Sequence, residues 1–286
     1  MTPVAIGTIG VLGAGQMGSG IAQVAALAGF DVVLGDVDQA TAEKGKATIA
    51  RFLGRSVEKG QLKAADRDAA LGRVTPVADV ARVAAADLVI EAASEREALK
   101  LDLFRALDRA ARPETILASN TSSIPIAELA AATPCPDRVV GLHFFSPVPV
   151  MKLVEVVVAL ETSPETVAKA RAVAERLGKT PIQTKDRSGF VVNMLLIPYL
   201  MAAVRMYEEG FASREDIDTG MTLGCGHPMG PLALCDLIGL DVLYAVGNSL
   251  YEEFKRDEYA PPPLVKRMVA AGRLGRKSGR GFYEYS

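Results

Sequence analysis

The chain has 286 residues, of which 49% are hydrophobic and 23% charged, and its formal net charge is −2. This length predicts about two domains with sizeable buried cores. Because acidic and basic residues are interspersed, no overall charge attracts nucleic acid or an anionic membrane, and only a local basic pocket for a phosphorylated ligand remains open. The cysteines Cys135, Cys225 and Cys235 stand far apart without metal-ligand spacing, which favours free thiols in a reducing compartment over disulfides or a metal site.

The apolar stretches of the chain do not have the form of export or membrane signals. The first one predicts a strand that runs directly into a glycine turn, rather than the basic and then apolar order of a signal peptide. The most apolar stretch further along, at 189–204, is too short for a membrane span and contains Asn193 and Pro198. We therefore expect a cytoplasmic protein without a membrane partner.

Short apolar runs typical of strands alternate with longer helical patterns as far as about residue 186. Strands are expected at 6–13, 31–36, 87–92, 115–120, 138–145, 152–159 and 181–186. This alternation predicts a Rossmann-type α/β domain, with a doubly wound and mostly parallel sheet. The fifth and sixth of these strands are joined too closely to hold a crossover helix, so they form a hairpin or a bent edge.

After residues 188–190 the strand signal largely disappears and helical patterns follow. Helices are expected at 191–209, 213–223, 239–255 and 262–271, with a short turn at 230–238 and an irregular tail or short strand at 279–286. Pro198 removes one hydrogen bond from the first of these helices and should kink it. We expect an α/β domain at 1–186 and a smaller all-α domain at 187–286. The many Leu, Met and Val residues of the second domain favour a homodimer.

A glycine turn follows the first predicted strand. Gly13, Gly15 and Gly18 have GxGxxG spacing, a helical pattern follows them, and the second strand ends in Asp36. The glycines permit a tight turn and close approach of the backbone to a pyrophosphate, which the helix N-terminus attracts. Asp36 would accept hydrogen bonds from the adenosine ribose and repel a 2′-phosphate, which favours NAD over NADP. FAD fits the same turn, although nothing else indicates a flavin, and a glycine turn without a ligand is the plain alternative.

Polar residues then occur at predicted strand ends and near the domain boundary. They are the segment SNTSS at 119–123, His143, Glu155 and Asn193. A histidine held by a carboxylate is an acid–base pair, and Ser122 and Asn193 would hydrogen-bond a substrate oxygen.

Each of these residues also has a simpler interpretation. A core histidine can bond a backbone carbonyl, serine and asparagine are common turn and helix-cap residues, and a glutamate can lie on an exposed edge strand. A hydrolase triad of Ser122, His143 and Glu155 lacks the GxSxG elbow and leaves the glycine turn unexplained. The second histidine, His227, has no acidic neighbour in sequence and is interpreted as a loop or cap residue.

In this order, several motifs resemble the short-chain L-3-hydroxyacyl-CoA dehydrogenases, including the bacterial 3-hydroxybutyryl-CoA dehydrogenases. The matching stretches are GAGQMGSGIAQ, LASNTSS, GLHFFSPVPVMKLVEVV, DRSGFVVNMLLIPYL, EDIDTGMTLGCGHPMGP and GRKSGRGFYEY. The resemblance implies NAD-dependent, reversible oxidation of a (3S)-3-hydroxyacyl-CoA, with a short-chain substrate expected. A 3-hydroxyadipyl-CoA or other specialised dehydrogenase, and a non-catalytic dinucleotide-binding sensor, are the alternatives.

The resemblance also assigns roles to residues. His143 is implied as the catalytic base, Glu155 as the group that orients it, and Ser122 and Asn193 as contacts of the substrate oxygen. The implied NAD contacts are Gly13, Gly15, Gln16, Met17, Gly18, Asp36, Glu95, Lys100, Asn120, Ser122, Ser146 and Lys277. Ser146 stands where family members often carry asparagine. Arg51 and Arg55, four residues apart on one helix face, are the nearest match to basic residues that meet CoA phosphates, and a solvated face is the alternative.

Overall fold

The computed structural model describes residues 6–285, and an eight-stranded sheet runs through the first part of that range. Its strands are β1 (Thr8–Leu12), β2 (Asp31–Gly35), β3 (Val74–Val77), β4 (Leu88–Glu91), β5 (Ile116–Ser119), β6 (Val139–Phe144), β7 (Leu153–Val158) and β8 (Thr180–Lys185). They lie in the order β3-β2-β1-β4-β5-β6-β7-β8. All neighbouring pairs are parallel except the antiparallel pair β6–β7. The predicted Rossmann-type, mostly parallel sheet is confirmed.

Burial along the strands follows from their place in the sheet. Every residue of β4, β5 and β6 is buried, because a parallel sheet is covered on both faces and its central strands are apolar throughout. The edge strands β3 and β8 are partly exposed, and each contains a proline, Pro76 and Pro181. An edge strand tolerates proline because one side of its backbone has no strand partner.

The sequence prediction does not include strand β3, because this strand is short and contains a proline. Its four residues VTPV are short and carry Pro76 in their interior, a pattern that argues against a strand when it is read locally. The local sequence does not favour a strand, but hydrogen bonding to β2 and the burial of Val74 and Val77 stabilise one.

Seven α-helices accompany the strands in the described part of the first compact unit, residues 6–187. They are α1 (Gln16–Leu27), α2 (Gln39–Glu58), α3 (Ala64–Arg73), α4 (Val80–Ala84), α5 (Glu97–Ala110), α6 (Ile126–Ala131) and α7 (Pro164–Arg176). Local chemistry sets several of their starts. The Asp38 carboxylate accepts from Thr41 N before α2, and the Ser163 hydroxyl accepts from Thr166 N before α7.

The chain divides into its two compact units between Arg187 and Ser188. The second unit contains α8 (Val192–Glu208), α9 (Arg214–Cys225), α10 (Pro231–Ile238), α11 (Leu240–Phe254) and α12 (Pro263–Ala270). Its apolar side chains form a core of their own, which includes Leu200, Leu232 and Leu250. Within the described residues, no single helix is long and apolar enough to span a membrane. The pair α10 and α11 passes that test only jointly, and it is bent by 97°.

The segment at 230–238 is helix α10 rather than the short turn that the sequence predicted. Gly230 precedes it, Pro231 opens it, and the Asp218 carboxylate accepts hydrogen bonds from Leu232 N at 2.8 Å and Ala233 N at 2.9 Å. These bonds satisfy amides that have no partner inside the helix. The capping group comes from α9, so no residue adjacent to the segment signals it.

Aspartate also holds the C-terminal tail. The buried Asp236 carboxylate accepts from Phe282 N and Tyr283 N at 2.9 Å and from the Tyr285 hydroxyl at 3.0 Å. Isolated bridges join Gly275 to Arg280 and Arg280 to Glu284. The tail is thus fixed by a carboxylate and isolated bridges instead of a regular strand.

Candidate active site

The glycine turn lies between β1 and α1, and its glycines serve different purposes. Gly13 has a φ of +108°, and a Cβ there would lie 2.6 Å from the Ala92 carbonyl oxygen. A Cβ at Gly18 would lie 1.7 Å from the Gly13 carbonyl oxygen, so packing of helix on strand requires glycine at that position. At Gly15 the φ is −69°, and a Cβ would meet nothing within 4 Å. Neither the backbone conformation nor the packing of the protein requires glycine at position 15. A bound pyrophosphate at the N-terminus of α1 would require it, because the backbone must then come close to the ligand.

Asp36 follows β2 and reaches back to this turn. One of its carboxylate oxygens accepts from Ala14 N at 2.6 Å, and the other accepts from Val37 N at 2.7 Å. The carboxylate is half-buried and therefore still reaches solvent beside the turn. This is the position in which an acidic side chain meets the ribose of a bound dinucleotide.

The segment that joins β6 to β7 also meets the glycine turn. Gln16 Nε2 donates to the Ser146 hydroxyl at 2.9 Å, and Met17 beside it is half-buried. Val148 is buried against Gly20, where a Cβ would come within 2.9 Å of the Val148 Cβ. Ser146 therefore keeps a polar link to the glycine turn.

His143 and Glu155 face each other across the antiparallel pair β6–β7. His143 Nδ1 lies 2.7 Å from Glu155 Oε2, and the two side chains are 8% and 0% exposed. The Phe145 ring packs on the imidazole with the two centroids 4.6 Å apart. When Nδ1–H donates to the carboxylate, the neutral ring carries its lone pair on Nε2, the atom that can accept a proton.

The Glu95 carboxylate accepts several hydrogen bonds from the SNTSS segment at 119–123. Its Oε1 accepts from the Thr121 hydroxyl at 2.5 Å, Ser122 N at 3.0 Å, Ser123 N at 3.3 Å and the Ser123 hydroxyl at 3.0 Å. Burial opposes ionisation of Glu95. The Lys100 ammonium and these donors outweigh burial, so the pKa of the Glu95 carboxyl lies below its ordinary value. Glu95 is therefore an ionised anchor for the backbone of Ser122.

Asn120 links the SNTSS segment to strand β6, which contains His143. Asn120 Oδ1 accepts from Phe144 N at 2.9 Å, one residue after His143. Asn120, predicted as an NAD contact, thus holds the ends of β5 and β6 together. The structure brings Gly13, Asp36, Glu95 and Ser122 to the carboxyl-terminal ends of strands in one sheet, where ligands bind in such folds.

Lys100 occupies a different environment from the one expected of a direct cofactor contact. Its side chain is 1% exposed, and its Nζ lies 2.7 and 2.8 Å from the two carboxylate oxygens of Glu91 and 3.3 Å from Glu95 Oε2. Four acceptors, including the Ala93 carbonyl oxygen, surround the ammonium. Direct contact of Lys100 with NAD stays a prediction. Glu91 was missed by the sequence reasoning, because it appears only as the last residue of an apolar strand.

Arg51, Arg55, Asn193 and Lys277 are the other predicted site residues. Arg51 and Arg55 are exposed on α2, where the Arg51 guanidinium lies 5.3 Å from the Phe52 ring centroid. In the second unit, Asn193 lies in the first turn of α8, and Lys277 pairs with Asp241 at 2.5 Å. Their roles at the substrate and the cofactor stay predictions.

The other histidine lies in the second unit. His227 Nδ1 is 3.2 Å from the Tyr199 hydroxyl, and its ring packs edge-on against the Tyr199 ring. It follows Gly226, which ends α9 in the left-handed conformation with a φ of +69°. This is the surrounding expected of a loop or cap residue.

Together, the turn, the acidic residue after β2 and the buried acid–base pair define a dinucleotide-dependent oxidoreductase. A profile described as 3-hydroxyacyl-CoA dehydrogenase, NAD binding domain, matches residues 8–187, and the C-terminal domain profile of the same family matches residues 189–285. The chain therefore belongs to the 3-hydroxyacyl-CoA dehydrogenase family. The predicted family, enzyme class and NAD cofactor are confirmed.

Individual relatives match over nearly their full length. A 3-hydroxybutyryl-CoA dehydrogenase of Mycobacterium tuberculosis is 51% identical over 283 residues, covering 98% of this chain and 99% of the relative. The human mitochondrial hydroxyacyl-coenzyme A dehydrogenase is 45% identical, covering 96% of this chain and 90% of the relative. The crystal structure of (S)-3-hydroxybutyryl-CoA dehydrogenase from Ralstonia eutropha matches with a TM-score of 0.95 and 49% identity, covering 99% of this chain and 100% of that one.

Proposed function

We propose that the chain catalyses the reversible, NAD-dependent oxidation of a (3S)-3-hydroxyacyl-CoA to a 3-oxoacyl-CoA, with 3-hydroxybutyryl-CoA as the preferred substrate. The buried His143–Glu155 pair carries the proposal, because a non-catalytic dinucleotide sensor needs no acid–base group. The names of the relatives from Mycobacterium tuberculosis and Ralstonia eutropha support the short acyl chain.

The proton transfer is assigned to His143. In the oxidation direction, the neutral imidazole accepts the proton of the substrate 3-hydroxyl at Nε2, while Glu155 holds Nδ1–H and stabilises the imidazolium that forms. In reduction the imidazolium returns this proton to the developing alkoxide. NAD, when bound, supplies the hydride acceptor for the substrate C3. The buried surroundings of the pair exclude water and strengthen the interaction between ring and carboxylate.

The chain's own residues provide a fitting cradle for the dinucleotide. Gly15 would admit the pyrophosphate, the amides at the start of α1 would bind it, and Asp36 would accept from the ribose hydroxyls. Glu95, Asn120 and the Gln16–Ser146 pair would order the strand ends that face the nicotinamide half. Lys277 is proposed as a contact from the second unit.

Substrate contacts are proposed for four further side chains. The Ser122 hydroxyl and the Asn193 amide would bond the 3-oxygen of the substrate, with Ser122 held by Glu95 through its backbone amide. Arg51 and Arg55 would bind CoA phosphates, and their exposure on α2 leaves both guanidinium groups accessible.

The test is an assay of the purified chain with NADH and acetoacetyl-CoA, in which NADH oxidation is followed by absorbance. Turnover that depends on both compounds is expected. Binding of NADH without oxidation would contradict the enzyme assignment and favour a sensor. A panel of 3-oxoacyl-CoA compounds of rising length, with one that ends in a carboxylate, tests the short-chain preference against the 3-hydroxyadipyl-CoA alternative. A higher kcat/KM for the dicarboxylic compound would overturn that preference.

We also propose a cytoplasmic homodimer. The cysteines Cys135, Cys225 and Cys235 are free thiols, as is typical of a reducing compartment. Large apolar side chains of the second unit are exposed, among them Leu195 and Leu223. Exposed apolar residues of this size favour burial against a partner subunit. Light scattering coupled to size-exclusion chromatography checks the subunit number, and a monomer at micromolar concentration would contradict the dimer.

A further inference from the structure

Lys179 is a buried basic residue near the hairpin of the acid–base pair, and the proposed reaction gives it no task. It lies between α7 and β8, and the residue is 8% exposed. Among the described residues no carboxylate pairs with it, and burial alone lowers the pKa of its ammonium. A buried ammonium is costly unless its N–H groups find acceptors, so the acceptors of Lys179 indicate its role.

The Lys179 ammonium bonds the chain segment at 145–152, which joins β6 to β7 and is called here the β6–β7 connection. Its Nζ donates to the Val148 carbonyl oxygen at 2.5 Å and to the Met151 carbonyl oxygen at 2.8 Å. Between these two carbonyls the chain makes a turn, in which Met151 N donates to the Pro147 carbonyl oxygen at 3.0 Å. The ammonium therefore supplies donors to carbonyl groups of a turn that lies outside the ladders of the sheet.

The β6–β7 connection also contacts the beginning of helix α1. The Ser146 hydroxyl accepts from Gln16 Nε2 at 2.9 Å. The buried Val148 side chain packs on Gly20, where an added Cβ would lie 2.9 Å from the Val148 Cβ. Gln16 and Gly20 are four residues apart and lie on one face of α1. Val148 thus bonds Lys179 with its carbonyl group and contacts α1 with its side chain.

Backbone hydrogen bonds fix the position of Lys179 itself. Its amide donates to the Ala174 carbonyl oxygen at 3.0 Å, and Gly178, with a φ of +73°, turns the chain from α7 into β8. The following amide, Thr180 N, donates to the Lys152 carbonyl oxygen at 2.7 Å. The ammonium therefore starts from a backbone that is already bonded to the end of the β6–β7 connection.

The sheet decides which property depends on this arrangement. His143 and Glu155 are directly opposite each other in the β6–β7 ladder, so the register of the acid–base pair is set by the strands. The contact between the β6–β7 connection and α1 lies outside that ladder. We therefore expect loss of the Lys179 ammonium to weaken cofactor binding more than proton transfer.

We propose that Lys179 is a positioning residue for cofactor binding: its buried ammonium holds the β6–β7 connection in the shape that packs on the start of α1. This inference rests on the dinucleotide cradle of the proposed function, in which the glycine turn and the first amides of α1 bind the pyrophosphate. Ser146 and Val148 are the contacts through which Lys179 reaches that cradle.

The first test is Lys179→Met, which keeps most of the side-chain length but removes the charge and the donors. The dissociation constant of NADH, measured by fluorescence titration, is expected to rise about tenfold, which corresponds to about 1.4 kcal/mol. The KM for NADH should rise with it, while kcat changes by less than about threefold. Hydrogen exchange of the Met151 amide should become faster, because the turn is no longer held. Lys185→Met, on the exposed end of β8, is the matched control.

The same substitution is then made in a Ser146→Ala/Val148→Ala background, where both contacts with α1 are already weakened. If Lys179 acts through them, the further change in the NADH dissociation constant is less than about twofold. A tenfold loss in both backgrounds, or weaker NADH binding with unchanged exchange of the Met151 amide, shows another route and overturns the inference. A lower melting temperature with unchanged NADH binding assigns Lys179 a purely structural role and also overturns it.

Two further measurements keep the outcomes distinct. Should Lys179→Met fail to fold, Lys179→Gln, which keeps an N–H donor, must weaken NADH binding in the native background and not in the Ser146→Ala/Val148→Ala background. The wild-type chain is assayed first with NADH and acetoacetyl-CoA. A wild type that binds NADH without oxidising it overturns the proposed activity, and the titrations, which need no turnover, still decide this inference. Normal turnover with NADH binding unchanged by Lys179→Met overturns this inference alone.

Discussion

Among the described residues of the first compact unit, His143–Glu155 and Lys100–Glu91 each pair a fully buried carboxylate with a buried nitrogen base. Both carboxylates are 0% exposed, both lie in strands of the sheet, and both base–oxygen distances are 2.7 Å. The partners differ in chemistry. An imidazole exchanges protons near neutral pH, whereas an alkylammonium stays protonated there. The first pair is therefore able to take part in acid–base catalysis, and the second is a fixed charge arrangement.

The hydrogen bonds around each carboxylate agree with this difference. Both oxygens of Glu91 accept from the Lys100 ammonium, and a backbone amide and a hydroxyl donate to them as well, so the carboxylate holds the ammonium in place. Glu155 Oε2 lies 2.7 Å from Nδ1 of His143, and the proposed proton transfer is assigned to the opposite ring nitrogen, Nε2. Two pairs that are alike in distance and burial can therefore differ in chemistry, because only an imidazole exchanges protons near neutral pH.

The largest expected effect comes from removing the proton acceptor of the first pair. His143→Gln keeps a polar side chain but no group that exchanges a proton at neutral pH, so kcat should fall by about 10²–10⁴-fold. NADH affinity, measured by fluorescence titration, should stay nearly unchanged because the ring is assigned to the substrate proton. His227→Gln is the matched control and should retain full activity. Wild-type kcat in His143→Gln would place the acid–base group elsewhere.

The next effect distinguishes orientation from proton transfer. Glu155→Gln keeps the size of the side chain but removes the charge that stabilises the imidazolium, and we expect kcat to fall up to about 10²-fold. The KM for acetoacetyl-CoA should change much less, because Glu155 is fully buried behind the ring. Initial rates measured over a range of acetoacetyl-CoA concentrations give kcat and KM separately. A change confined to KM would mean that Glu155 shapes the substrate site and does not act on His143. Glu161→Gln, on the exposed segment after β7, serves as the control.

The first of the two pairs was predictable from the sequence and the second was not. His143 is a rare residue type in an apolar strand, and Glu155 follows twelve residues later in a strand too close for a crossover, so the pairing has a local signal. Glu91 and Lys100 are nine residues apart, yet one ends a strand and the other lies on a helix. Their contact depends on how α5 packs over β4 and β5. Hydrophobic periodicity in the sequence does not predict this packing. The same reason hides helix α10, whose capping carboxylate comes from Asp218 on another helix.

A third carboxylate, Asp36, gives a smaller effect because it is only half-buried and accepts from backbone amides alone. Asp36→Asn removes the charge that would repel a 2′-phosphate, so the kcat/KM ratio of NADPH to NADH should rise about tenfold, which corresponds to ~1.4 kcal/mol. Steady-state kinetics with both cofactors measures the ratio. Asp38→Asn, at the N-cap of α2, is the control and should leave the ratio unchanged. An unchanged ratio in Asp36→Asn would remove the basis for cofactor selectivity.

The smallest expected effect concerns Glu95, which lies 3.3 Å from the ammonium of the Lys100–Glu91 pair. It is an effect on stability rather than on rate. Burial raises the pKa of Glu95, but the Lys100 ammonium and the donors of Thr121, Ser122 and Ser123 outweigh burial and hold that pKa below its ordinary value. A group with a depressed pKa stabilises the folded state above its unfolded pKa, and the contribution is lost as the pH falls through the folded value. Glu95→Gln should therefore lower the free energy of unfolding at pH 7.

The difference between Glu95→Gln and the wild type should shrink as the pH falls below the ordinary glutamate pKa and through the lowered pKa of the folded state, because the wild-type carboxyl takes up a proton there. Urea unfolding at several pH values measures the difference, and Glu97→Gln on the exposed first turn of α5 is the control. A difference that stays constant with pH would show that Glu95 contributes packing and hydrogen bonds but no charge. Lys100 would then balance Glu91 alone, as an isolated pair, with no charge reaching the backbone of Ser122.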